Sequence, residues 1–99
     1  MSRPDIRFIG DLETIVRARL DEKNEDSYTA RLAAAGTRRI AQKVGEEGIE
    51  LALAASSGTE QETIDEAADL IYHVIVLLSE RGLSLEDVSR RLETRHGPD

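Results

Sequence analysis

The chain has 99 residues, enough for one domain with a limited core. It holds no cysteine, which excludes a disulfide framework and a thiolate metal site. Its net charge of -7, from 20 acidic against 13 basic residues, argues against a protein built to grip nucleic-acid phosphates.

Aromatic residues make up only 3%, and the two prolines, Pro4 and Pro98, sit at the ends. Between them Ala, Leu, Glu and Arg dominate, a helical composition. Ile9, Leu12, Ile15, Val16 and Leu20 recur on one face and predict a first helix over 9–20. The polar run "DEKNEDS", 21–27, reads as a connection. Ser27 is placed to cap a short second helix, "YTARLAAA", which Gly36 ends. Thr37 is expected to cap a third helix reaching about Ala55, stopped by "SSG". Thr59 followed by Glu62 matches a capping box, opening a fourth helix that runs to about Arg81 and stops at Gly82. Ser84 followed by Asp87 opens a last helix, "LEDVSRRLETR", and the tail "HGPD" is expected to fray. A short turn joins the two long helices, so they should lie antiparallel.

The longest apolar run, Leu70–Leu78, contains Tyr72 and His73 and falls far short of the roughly 20 residues that span a bilayer. "MSRPDIRF" has no apolar signal-peptide core, and a cytoplasmic protein with no membrane partner is expected.

The segment "KVGEEGIELALAA", 43–55, places Glu46, Glu47 and Glu50 within five residues. Like charges at helical spacing repel, so either solvent or a cation must absorb the cost. At about 100° per residue, Lys43, Glu46, Glu47 and Glu50 form one stripe headed by a lysine. After a spacer of fifteen residues comes "EAAD", with Glu66 and Asp69 at i, i+3 and His73 one turn further. On antiparallel helices the two stripes can face each other. Converging carboxylates make a hard oxygen site suited to Mg²⁺ or Mn²⁺. The alternative is an ordinary solvated helix face in an acidic chain. Gly48, Ala67 and Ala68 are read as small residues that let the two helices approach closely.

These residues resemble the phosphoribosyl-ATP pyrophosphohydrolases, a branch of the MazG-type all-α nucleoside triphosphate pyrophosphatases whose signature is EExxE, a spacer and ExxD. Glu46, Glu47, Glu50, Glu66 and Asp69 fill that pattern, and the likeness extends from Ser27 to Val88 through "SYTARLAAAGTRRIAQK" and "DLIYHVIVLLSERGLSLEDV". Gly48, where alanine is expected more often, is a departure lying between two ligand positions. The resemblance implies hydrolysis of phosphoribosyl-ATP to phosphoribosyl-AMP and pyrophosphate with Mg²⁺, the second step of histidine biosynthesis. It also implies roles. Glu47, Glu50, Glu66 and Asp69 would hold metal, and Glu46 would orient or deprotonate the attacking water. Lys43, Arg39 and Arg38 would meet substrate phosphates. His73 is either a support for Asp69 or a histidine satisfied within the helix interface. Tyr28 either stacks on a base or anchors the short helix, and His96 has no expected role.

Leu70–Leu78 is apolar nearly all round its helix, which calls for burial on most sides. A homodimer, or a larger homo-oligomer, that completes a shared bundle is the expected solution, unless the first and last helices cover this face within one chain. The fused form known in the family carries a second activity. Residues 1–99 are expected to be a single pyrophosphohydrolase domain. Two other functions compete: a house-cleaning pyrophosphatase for dUTP, dCTP or a damaged nucleotide, and a non-catalytic helical dimerisation module.

Overall fold

A computed structural model describes residues 3–98. Among the described residues there are five α-helices and no strand: α1 (Arg7–Glu22), α2 (Tyr28–Ala34), α3 (Thr37–Ser57), α4 (Glu60–Glu80) and α5 (Leu85–His96). This is the all-α class the composition predicts. None of these helices is long and apolar enough to cross a membrane.

Local chemistry sets most of the boundaries. Asp5 accepts the Arg7 backbone N–H at 3.1 Å and holds its guanidinium at 2.9 Å, so α1 starts two residues before its apolar stripe. Ser27 Oγ accepts the Ala30 N–H and opens α2. Thr59 and Glu62 form a reciprocal capping box at the start of α4, and Ser84 and Asp87 form another at α5. Thr37 does not cap α3. Gly36, with φ 97°, takes the N-cap position, in a left-handed conformation that suits glycine. Thr37 is the first helical residue, and its hydroxyl donates to Glu80 Oε2 at 2.8 Å instead. The frayed tail is also corrected: α5 continues through His96, and the Gly97 N–H bonds the Glu93 carbonyl. Asp99 lies outside the described residues.

The main packing is α3 against α4. The Thr37–Glu80 bond joins the first residue of α3 to the last of α4, so the two run antiparallel over their whole length. α1 and α2 pack across α4. Val16 from α1, Leu32 from α2, Ile40 from α3 and Ile75 with Val76 from α4 make the core, with Ile9, Leu12, Leu20, Tyr72 and Leu77 packed around it. Each fully buried aliphatic side chain contributes about 1.5 to 3 kcal/mol, so a core this small leaves a modest margin.

α5 stands away from the other helices and is anchored at its first turn. There Leu85 packs on the core and its N–H donates to Glu13 Oε2 at 2.7 Å. Val88 and Leu92 on α5 remain exposed, so the last helix does not cover the apolar face of α4. Ile49 and Leu53 on α3 and Ile64 on α4 are each more than 60% exposed. Gly48 does not mark a close helix approach either. A Cβ built there meets nothing within 4 Å, and Ala68 is exposed.

Candidate metal and phosphate site

The α3–α4 pairing brings Glu47, Glu66 and Asp69 together, with one carboxylate oxygen from each within 4.8 Å of the others. Helical register explains this. Glu66 and Asp69 lie one turn apart on one face of α4, and Glu47 faces them from the middle of α3. The group grades from the interior to solvent: Glu47 is 6% exposed, Glu66 half-buried and Asp69 exposed. A ligand therefore reaches it from the Asp69 side.

Glu47 Oε2 and Glu66 Oε2 are buried with no hydrogen-bond partner among the described residues. Unpaired buried carboxylate oxygens are costly, and a cation removes that cost. The pKa of Glu66 is raised, first by burial, then by hydrogen bonding and charge from Glu50, and then by the charges of Asp69 and Glu47. All the donors are carboxylate oxygens, so the set fits a hard divalent ion rather than a soft one.

The other expected residues fall at different distances from this centre. Glu50 is exposed on α3 and stands against Glu66. Both line an open cleft of about 340 Å³ near the α3–α4 turn, with Leu53, Ala54 and Glu62. Glu46 is outside the tight group. It accepts from Gln42 Nε2 at 3.2 Å and faces solvent. Lys43 Nζ lies 3.5 Å from Glu47 and 3.7 Å from Glu46, at the head of the stripe. Burial alone would lower the Lys43 pKa, but Tyr28, Glu47 and Glu46 together outweigh it and raise the value, so the ammonium stays charged. Arg39 and Arg38 are exposed on the first turn of α3, one to two turns before Lys43.

A polar cluster adjoins the carboxylates. His73, 6% exposed, contacts the Asp69 carbonyl through Nδ1 at 2.8 Å and the Tyr28 hydroxyl through Nε2 at 3.0 Å. These bonds satisfy His73 within the helix interface, and one of them ties it to the Asp69 backbone, so both readings of His73 fit. The buried Thr29 hydroxyl pairs with the Tyr72 hydroxyl, and the Tyr28 and Tyr72 rings stack at 6.3 Å. The expectations above treat Tyr28 and His73 separately and give Thr29 and Tyr72 no role. The signal for the pairing was two polar side chains, Tyr72 and His73, inside an otherwise apolar helix segment. Each needs a partner, and "SYT" on α2 supplies two.

A family profile described as phosphoribosyl-ATP pyrophosphohydrolase matches residues 9–96, nearly the whole chain. The chain belongs to the phosphoribosyl-ATP pyrophosphohydrolase family. It is 54% identical over 94 residues to the histidine biosynthesis bifunctional protein HisIE of Photobacterium profundum, covering 95% of this chain and 45% of that protein. Similar proteins of the same description occur in Pasteurella multocida, 53% identical over 95 residues (96% and 47% covered), and Xylella fastidiosa, 53% identical over 90 residues (91% and 44% covered). The chain thus spans a little under half the length of these curated relatives.

Proposed function

We propose that this chain is the phosphoribosyl-ATP pyrophosphohydrolase of histidine biosynthesis, releasing pyrophosphate and leaving phosphoribosyl-AMP. It acts as a single helical domain in the cytoplasm. The observation that carries this reading is the convergence of Glu47, Glu66 and Asp69 within 4.8 Å, with two buried oxygens that lack partners, in a chain of this family.

Glu47, Glu66 and Asp69, with Glu50 beside Glu66, would hold Mg²⁺, and Mn²⁺ would substitute. Held by these carboxylates, such an ion would offset the repulsion between them and the triphosphate and would supply Lewis-acid polarisation of phosphoryl oxygens. The remaining work falls to the chain's own groups. Lys43 sits where it can meet phosphate oxygens once the carboxylate of Glu47 is engaged. Arg39 and Arg38, exposed on α3, would meet the outer phosphates and lose little desolvation energy in binding them. Glu46, tethered by Gln42 but open to solvent, orients the attacking water and takes its proton. Attack at the α-phosphorus breaks the bond to the bridging oxygen, and pyrophosphate leaves.

The exposed apolar side chains Ile49, Leu53 and Ile64 on the α3–α4 pair, together with Val88 and Leu92 on α5, support assembly as a homodimer or larger homo-oligomer. The net charge of -7 favours a small-molecule substrate over a nucleic-acid partner.

The test is pyrophosphate release with Mg²⁺ from phosphoribosyl-ATP, with dUTP, dCTP and ATP in parallel, repeated with Glu47→Gln. Release confined to phosphoribosyl-ATP and lost in the variant is expected. Release from a deoxynucleotide instead would keep the carboxylate site and overturn the substrate. A folded protein inactive on all four would favour the non-catalytic helical module.

A further inference from the structure

Hydrogen-bond polarity at Tyr28 points to a role beyond anchoring α2. The Asp69 backbone carbonyl can only accept, so the His73 Nδ1 that contacts it at 2.8 Å carries the proton. In the neutral imidazole, Nε2 is then a lone-pair acceptor, and the Tyr28 hydroxyl 3.0 Å away must donate to it. With its proton committed, the Tyr28 oxygen can only accept from any further group. A deprotonated phosphate offers no donor, so Tyr28 is unsuited to bind phosphate. Ribose hydroxyls and the N–H groups of a base do offer donors.

Position agrees with this. His73 lies one turn of α4 beyond Asp69, and one turn is about 5.4 Å, comparable to the reach from an α-phosphate to its nucleoside. Tyr28 is 44% exposed, while its ring orientation is fixed by stacking on Tyr72 and edge contact with His73. A half-open, rigid acceptor therefore stands beside the carboxylate group.

We propose that Tyr28 recognises the nucleoside side of the substrate, accepting a hydrogen bond from a ribosyl O–H or base N–H, with His73 as the positioning residue that holds its proton. This rests on the nucleotide hydrolysis proposed above and deepens it.

The test compares Tyr28→Phe, His73→Gln and His73→Asn with the unaltered chain. Gln can supply an acceptor near Nε2, whereas Asn can keep only the Asp69 contact. Steady-state turnover of phosphoribosyl-ATP gives KM and kcat. Calorimetry in a Glu46→Gln background gives affinities for phosphoribosyl-ATP and for pyrophosphate, both with Mg²⁺. Imidazole ¹⁵N shifts report the His73 tautomer. Tyr28→Phe and His73→Asn should each raise KM about three- to tenfold, more than they lower kcat, and should weaken nucleotide but not pyrophosphate binding. His73→Gln should recover most of the loss, and the shifts should show a protonated Nδ1. An unchanged nucleotide affinity in Tyr28→Phe, or an equal loss of pyrophosphate affinity, would overturn the proposal. So would a protonated Nε2. If the unaltered chain binds phosphoribosyl-ATP without hydrolysing it, the proposed reaction falls and the binding comparison still decides Tyr28. If it binds neither ligand, both readings fall.

Discussion

Lys43 Nζ lies 3.5 Å from one carboxylate oxygen of Glu47, while the other oxygen of Glu47 is buried with no partner among the described residues. One cation therefore answers half of this carboxylate. Glu66 and Asp69, each with a carboxylate oxygen within 4.8 Å of one from Glu47, add to its charge instead of balancing it. Replacing Glu47 by Gln removes one metal-facing oxygen charge and also relieves repulsion. We expect Glu47→Gln to abolish most Mn²⁺ affinity and to lower kcat/KM at least a hundredfold, about 3 kcal/mol of barrier. The metal-free protein should be no less stable than the unaltered chain. Metal titration and thermal unfolding in chelator check the two halves separately. Lost stability without lost metal affinity would count against this assignment.

The raised pKa of Glu66 gives a pH dependence with a definite sign. Between its ordinary value and its higher folded value, the native state binds more protons than the unfolded state. Stability of the metal-free protein should then fall as pH rises through that window. Bound metal reverses the sign, because the ligands must be ionised to hold it. Melting temperature against pH, in chelator and in excess Mn²⁺, should give slopes of opposite direction above pH 4.5. Glu66→Gln should flatten the chelator curve. Parallel slopes in the two conditions would mean that Glu66 is not a ligand.

Much of this was legible in the sequence, and the exceptions have physical causes. Helix positions followed from caps and apolar periodicity, because Ser27, Thr59 and Ser84 act through bonds only three residues long. The role of Thr37 is not local, because its partner, Glu80, is 43 residues away and is set by tertiary packing. The facing of Glu47 with Glu66 and Asp69 followed from register once α3 and α4 were taken as antiparallel. The looser position of Glu46 did not, since neighbouring residues on a helix diverge by about 100° and only packing decides which of two adjacent acids turns inward. The Tyr28–His73 bond joins separate helices, and no local pattern encodes it.

Gly48 offers a test that changes none of the candidate ligands. It sits in the interior of α3, where a Cβ would meet nothing within 4 Å beyond the local helix backbone, so steric need does not explain it. Alanine should fit and should favour the helix by about 0.5 to 1 kcal/mol through reduced freedom of the unfolded chain. Gly48→Ala should therefore raise the midpoint of urea unfolding while leaving metal affinity within twofold. A loss of stability would mean that another surface, such as a second copy of the chain, approaches the helix at this position.

Assembly can be tested at Leu53 and Ile64, which are 61% and 62% exposed on the α3–α4 pair. Neither is held in the core, so a charge placed there costs the isolated chain little. Across a subunit interface the same charge would be buried without a partner and would cost several kcal/mol. Leu53→Asp and Ile64→Asp should each convert a dimeric or larger species to monomer in sedimentation at micromolar concentration. The unaltered protein should also melt at a temperature that rises with protein concentration, as association-linked folding requires, and the variants should lose that dependence. If the unaltered chain sediments as a monomer and its melting is independent of concentration, the exposed apolar face has another purpose and the homodimer is wrong.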